Sequence, residues 1–140
     1  MRGPCLADLC DHETPEAPVI TTHIEAVLLI TGVCTAGALV LFLAPVATAH
    51  RIFGEVPAAP LGTGLMRHWG LLLFCIGALL VYAALDQAVR GPAMLLASVE
   101  KLGFAGCVFG TSLRQRPMVS FMAAADVAMV LLYALYFLGA

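Results

Sequence analysis

Residues 118–138 read MVSFMAAADVAMVLLYALYFL, twenty-one positions with one charge, Asp126, and no glycine or proline. At 1.5 Å rise per residue, a helix of this length matches a bilayer hydrocarbon core about 30 Å thick. Three further stretches share its character, at residues 24–44, 69–85 and 93–110. Their apolar residues run on without alternation, which argues against strands. In lipid each backbone amide must find its partner within the segment, so the expected structure is helical. The expectation is an all-α membrane protein, an antiparallel four-transmembrane-helix bundle.

Composition supports this. The chain is 61% hydrophobic and 11% charged, with a mean hydropathy of +0.97, whereas a soluble domain is about a quarter charged. At 140 residues there is room for one domain. We divide the chain into a tail, residues 1–22, and a transmembrane domain, residues 23–140. The tail carries Arg2, then Asp8, Asp11, Glu13 and Glu16 among three prolines. It lacks the apolar stretch of a signal peptide and reads as a disordered acidic segment. The seven basic residues form no stripe and do not interleave with aromatics, so nucleic acid is not an expected partner.

Cys5 and Cys10 are spaced C-x4-C without a second pair, a weak metal or redox signal that leaves their disulfide pairing open. Cys34, Cys75 and Cys107 lie in apolar segments and read as small packing residues. His12, His23 and His50 have no ligand spacing. No metal and no cofactor are expected.

Local signals suggest the boundaries. Thr22-x-x-Glu25 resembles a capping box. Arg90-Gly91-Pro92 reads as a break, with Pro92 in the first turn of the third helix and Pro117 in that of the fourth. Loops 86–91 and 111–116 are short enough to demand antiparallel neighbours. Loop 48–67, with Ile52, Phe53, Leu61, Leu65 and Met66, has an amphipathic cast and is expected along the membrane interface. Arg51, Arg67, Arg114 and Arg116 fall beside loops one and three, against Arg2 and Arg90 on the other side. The positive-inside rule then puts both termini outside the cytoplasm, in a multi-pass protein of the inner (cell) membrane.

Charge within the spans carries the functional signal. Glu100, Lys101 and Asp126 would each cost about 2.5–3.5 kcal/mol at mid-membrane if unpaired. Lys101 is nine residues from Gly110 and Asp126 nine from Pro117, so antiparallel neighbours bring them to one depth as an ion pair. Glu100 is rotated about 100° from Lys101 and is expected to face a different neighbour. It is a surplus carboxyl suited to proton donation or to holding a polar group of a lipophilic ligand. Glu100, Asp126 and Lys101 are the candidate catalytic residues.

Thr31 and Thr35, one turn apart on the first helix, lie at that depth and are candidate ligand contacts, although threonines in helices commonly bond their own i−4 carbonyls. Tyr133, two turns from Asp126, and Tyr82 are further candidates; with Tyr136 and Trp69 they also read as interfacial belt residues. Arg67 and His68, at the mouth of the second helix, suit an anionic head group or mark a helix end. Gly32, Ala36, Gly103, Gly106 and Gly110 read as close-packing positions between helices.

Ala44-Pro45, Phe53-Gly54, Arg67-His68-Trp69-Gly70, Ala78 to Ala84, Arg90-Gly91-Pro92 and Val99 to Phe104 together resemble small bacterial four-helix membrane proteins of DoxX-like layout. The likeness covers about residues 25–138. It implies the four-helix fold, in a group partly accessory to redox or biosynthetic systems. The expected function is binding or conversion of a lipophilic small molecule, quinone-, isoprenoid- or polyketide-like, with Glu100 or Asp126 as acid/base. Membrane lipid is an expected partner, and homo- or hetero-oligomers are compatible. The alternatives are a structural accessory subunit of a membrane complex and a small proton-coupled transporter. The transporter type carries its acid mid-way along the first helix, whereas Glu25 stands at the edge. A thiol oxidoreductase would need a C-x-x-C motif, which the sequence lacks.

Overall fold

The apolar runs form helices. A computed structural model describes residues 19–139, and Cys5, Cys10 and most of the acidic tail lie outside the described residues. The helices are α1 (Val19–Ala36), α2 (Leu39–Leu43), α3 (Pro45–Phe53), α4 (Leu61–Leu85), α5 (Gln87–Phe109) and α6 (Pro117–Phe137), with a 3-10 turn at Ser112–Gln115. Four stretches are long and apolar enough to cross a membrane: His23–Leu43, Leu61–Leu85, Gln87–Phe109 and Pro117–Phe137. No strand occurs among the described residues.

The boundaries differ from the sequence reading in four places, each for a physical reason. The first helix begins at Val19, so Thr22 lies inside it and the capping-box reading fails. The first span is also not one uniform helix. Gly37 N–H still bonds to Val33 at i−4, but Ala38, Val40 and Leu41 donate to Thr35, Gly37 and Ala38 at i−3. This 3-10-like tightening joins α1 to α2.

The second helix starts at Leu61 rather than Trp69, and much of loop 48–67 is helical. Pro45 occupies the first turn of α3, where its missing N–H costs nothing. Gly54 ends α3 in the left-handed conformation, φ +72°, which glycine adopts without strain.

The expected break at Arg90-Gly91-Pro92 is absent. A single residue, Asp86, links α4 to α5, and Pro92 sits inside α5. Asp86 starts α5 by accepting Ala88 N–H at 2.9 Å, and it accepts the Tyr82 hydroxyl at 3.1 Å. Arg90 makes the abrupt corner possible. Its Nε donates to the Ala83 carbonyl at 3.0 Å, and one terminal nitrogen donates to the Ala84 carbonyl at 3.1 Å and to Glu25 Oε1 at 2.7 Å. Carbonyls at the end of α4 that have no helical partner are thus capped by a side chain from the next helix. Arg90 is buried, not a loop charge.

The four spans close a ring in the order α1/α2, α4, α5, α6, with α6 returning to α1. The cross-helix pairs run antiparallel at each seam. Gly32 and Ala36 meet Gly77, and Leu41 and Phe42 meet Gly70. On the far side Lys101 meets Asp126. A Cβ on Gly77 would meet the backbone of Ala36 and Gly32, and one on Gly70 the backbone of Phe42, so α1/α2 and α4 approach as closely as glycine permits. Gly103 and Gly106 have nothing within 4 Å of an added Cβ. The expectation that they pack against a neighbouring helix is overturned for this chain.

Two apolar cores fill the ring. One gathers Ile24, Leu28, Leu80, Ala83, Ala84, Ala93, Met94, Ala97 and Tyr133 at the end where α1 begins and α6 finishes. The other gathers Ala105, Val108, Val119 and Ala123 with Ile52, Phe53, Phe104, Leu113 and Val127. The amphipathic face of α3 is therefore spent on this second core. Between the two cores, at the level of residues 100–104 of α5, lies a layer that is not apolar.

Candidate functional site in the middle layer

The middle layer is built on three helices. On α5, Glu100 and Lys101 occupy adjacent positions near mid-helix. On α6, Asp126 faces them, and on α1, Thr31 and Thr35 stand one turn apart. Lys101 is buried, with 3% of its side chain exposed, and its ammonium lies 2.6 Å from Asp126 Oδ1. The same nitrogen donates to Thr35 Oγ1 at 3.1 Å. The pairing read from equal depth is present, and it has a third member.

Both threonines do two things at once. Each donates its hydroxyl proton to its i−4 carbonyl, Thr31 to Val27 and Thr35 to Thr31, both at 2.8 Å. Each hydroxyl oxygen then accepts from another helix. Thr35 accepts from Lys101, and Thr31 accepts from the buried Tyr133 hydroxyl at 2.7 Å. Thr35 both bonds its own helix and lines the cavity, whereas Thr31, expected as a ligand contact, does not line it and is engaged by Tyr133 instead. These contacts tie α1 to α5 and α6 through polar groups that would otherwise be costly in an apolar interior.

Glu100 departs from the expectation that it turns to a different neighbour. It lines the same cavity as Lys101 and Asp126, because the cavity is wide enough to span the rotation between successive residues. Its Oε2 is buried and has no hydrogen-bond partner among the described residues. The cavity has a volume of about 270 Å3. Cys34, Thr35 and Ala38 contribute from the first span, Leu73 from α4 and Phe104 from α5; α6 supplies Phe121, Met122, Ala125 and Met129 around Asp126. Cys34 and Phe121 are exposed on the outside of the ring. The cavity therefore reaches the lateral surface between α1 and α6, while the two apolar cores close it above and below.

The remaining candidates lie elsewhere. Tyr82 is exposed and bonded to Asp86 at the α4–α5 corner. Arg67 and His68 are exposed in the second turn of α4 and do not line the cavity. Tyr133 contributes through Thr31 rather than by lining the cavity. Trp69 is half-buried and packed between Phe53 and Phe104 with tilted rings, at centroid distances of 6.3 and 5.6 Å, not a free belt residue. No cluster of three or more metal-ligating side chains occurs among the described residues.

Sequence reasoning missed the packing of Phe53 of α3 and Trp69 toward the cavity residue Phe104, and Arg90 as a cap. A signal for Arg90 was present. An arginine five residues after an apolar span, with Glu25 at the matching end of the first span, invites a test of pairing.

The fold and site thus define an all-helical protein of four long apolar helices with a polar layer at mid-depth and a side-opening apolar cavity upon it. No family model, curated protein or solved structure matches the chain.

Proposed function

We propose that this is a multi-pass membrane protein that binds a lipophilic small molecule in its mid-depth cavity, the molecule entering sideways from the bilayer between α1 and α6. The observation that carries the reading is a polar layer, Glu100, Lys101, Asp126 and Thr35, opening on an apolar cavity of about 270 Å3. Ligand sites are characteristically concave and apolar with a few convergent polar groups. A buried polar group without a partner is costly, and Glu100 Oε2 is such a group. The layered cores above and below favour lateral entry over passage across the membrane. The DoxX-like layout, the inner-membrane location and the extracytoplasmic termini belong to this proposal. If the bound molecule is converted, Glu100 is the acid/base, since Asp126 is committed to Lys101.

The test is photolabelling of the protein in phosphatidylcholine nanodiscs with an aliphatic diazirine. Labels are expected on Leu73 and Phe104, which face the cavity, and excess unlabelled alkane should compete. Ala125→Phe, which fills the cavity, should remove these labels while labelling of the lipid-facing Leu95 and Leu131 persists. Labels confined to the outer surface in both proteins would refute the site. A structural accessory subunit is the rival, and its mark is tolerance of both Ala125→Phe and Glu100→Gln in every functional measure.

A further inference from the structure

The hydrogen-bond inventory of the cavity narrows the ligand further, on the assumption that the cavity is a ligand site as proposed above. Among the described residues Lys101 is the one cation lining it, and it spends two of its three N–H donors on Asp126 Oδ1 and Thr35 Oγ1. The Thr35 proton is spent on the Thr31 carbonyl. Three carboxyl oxygens of the layer then accept no bond among the described residues: both oxygens of Glu100, of which Oε2 is buried, and Asp126 Oδ2. The layer is rich in acceptors and poor in donors. It also holds two carboxyl groups to one ammonium. The rest of the wall, from Leu73, Phe104, Met122 and Met129, is apolar.

We propose that the cavity takes a lipophilic primary amine, bound as its ammonium ion with the nitrogen against Glu100 and Asp126 and the apolar body toward Phe104 and Met129. Such a ligand brings up to three N–H donors to these oxygens, the buried Glu100 Oε2 among them, and its charge balances Glu100 in its carboxylate form. A carbonyl compound, such as a quinone, would add another acceptor to a layer that already has a surplus. A neutral alcohol would bring one donor where an ammonium brings three. Burial makes the difference large, because charge-assisted hydrogen bonds in a water-poor site are the stronger ones.

The test uses the full chain in phosphatidylcholine nanodiscs and three probes with one apolar body: 4-phenylbutylamine, its N,N,N-trimethyl derivative and 4-phenylbutan-1-ol. Trp69, the one tryptophan of the chain, packs on the cavity residue Phe104, so its fluorescence is the readout, with empty nanodiscs as the blank for partitioning. The amine is expected to bind at least tenfold more tightly than the alcohol, with the trimethyl derivative between them. In Glu100→Gln the amine should lose that advantage while the alcohol keeps its affinity. The wild-type comparison of the three probes stands even if the variant does not fold. An alcohol that binds as tightly as the amine would overturn the amine assignment and leave the cavity reading intact. An amine preference unchanged in a folded Glu100→Gln would likewise overturn it. Failure of all three probes to bind would remove the cavity reading and the amine together.

Discussion

Lys101 shows most directly how a single residue is made tolerable at mid-depth. Its ammonium is enclosed, yet it has a carboxylate at 2.6 Å and a hydroxyl at 3.1 Å. Removing one partner of a buried pair leaves an uncompensated charge, whereas removing both is often nearly neutral. Lys101→Met is accordingly expected to destabilise the bundle by about 3 kcal/mol, and adding Asp126→Leu should recover most of that loss. Denaturant unfolding in mixed micelles measures the cycle, and strictly additive losses would show that the two residues are independent. The pair was legible in the sequence because depth in a membrane helix is set by counting residues. The role of Thr35 was less so, since its approach to Lys101 depends on the spacing of α1 and α5. The direction of Glu100 was misread for a related reason. A 100° rotation per residue separates side chains only where the neighbouring helices are tightly packed, and here a cavity receives both.

At the scale of elements, glycines behave in two opposite ways. Gly77 lies where α4 meets the backbone of α1, whereas Gly106 on α5 has open space before it. Gly77→Ala should therefore cost about 1–3 kcal/mol through forced separation of the helices. Gly106→Ala should be neutral or stabilising by up to about 1 kcal/mol through helix propensity. Thermal unfolding of the two variants side by side tests the contrast, and equal losses would contradict it. The sequence reading singled out Gly106 and passed over Gly77, because a single stretch of chain does not tell which seam a glycine faces. Corners obey the same logic. Pro92 suggested a break, but inside α5 it removes a single backbone hydrogen bond, and Arg90 holds the turn by bonding to Ala83 and Ala84. The 3-10 tightening that joins α1 to α2 lies where Ala38, Leu41 and Phe42 pack against Gly70.

On the scale of the whole molecule, charge is divided between the ends. Arg51, Arg67 and Arg114 are exposed at the end that carries α3 and the 3-10 turn, where Arg116 pairs with Glu55 at 3.0 Å. The other end holds Glu25, Arg90 and Asp86, with Arg90 tied to Glu25. Discounting the two arginines held in ion pairs leaves the bias in place, three exposed arginines against none among the described residues, with Arg2 outside them. A reporter fused after Ala140 should then be active outside the cytoplasm. Activity only in a cytoplasmic reporter would reverse the orientation without altering the four spans.

The sequence by itself determined the number of apolar spans, their helical nature and the shared depth of Lys101 and Asp126. Hydrophobicity, segment length and backbone hydrogen bonding are properties of one stretch of chain at a time, and they need no knowledge of its neighbours. Tertiary structure alone decided which glycines touch, which carbonyls Arg90 caps, that Trp69 lies between Phe53 and Phe104, and that Glu100 shares a cavity with Lys101 and Asp126. These are relations between helices, fixed by the rotation and separation at which several side-chain surfaces fit together. No single stretch of sequence contains that information.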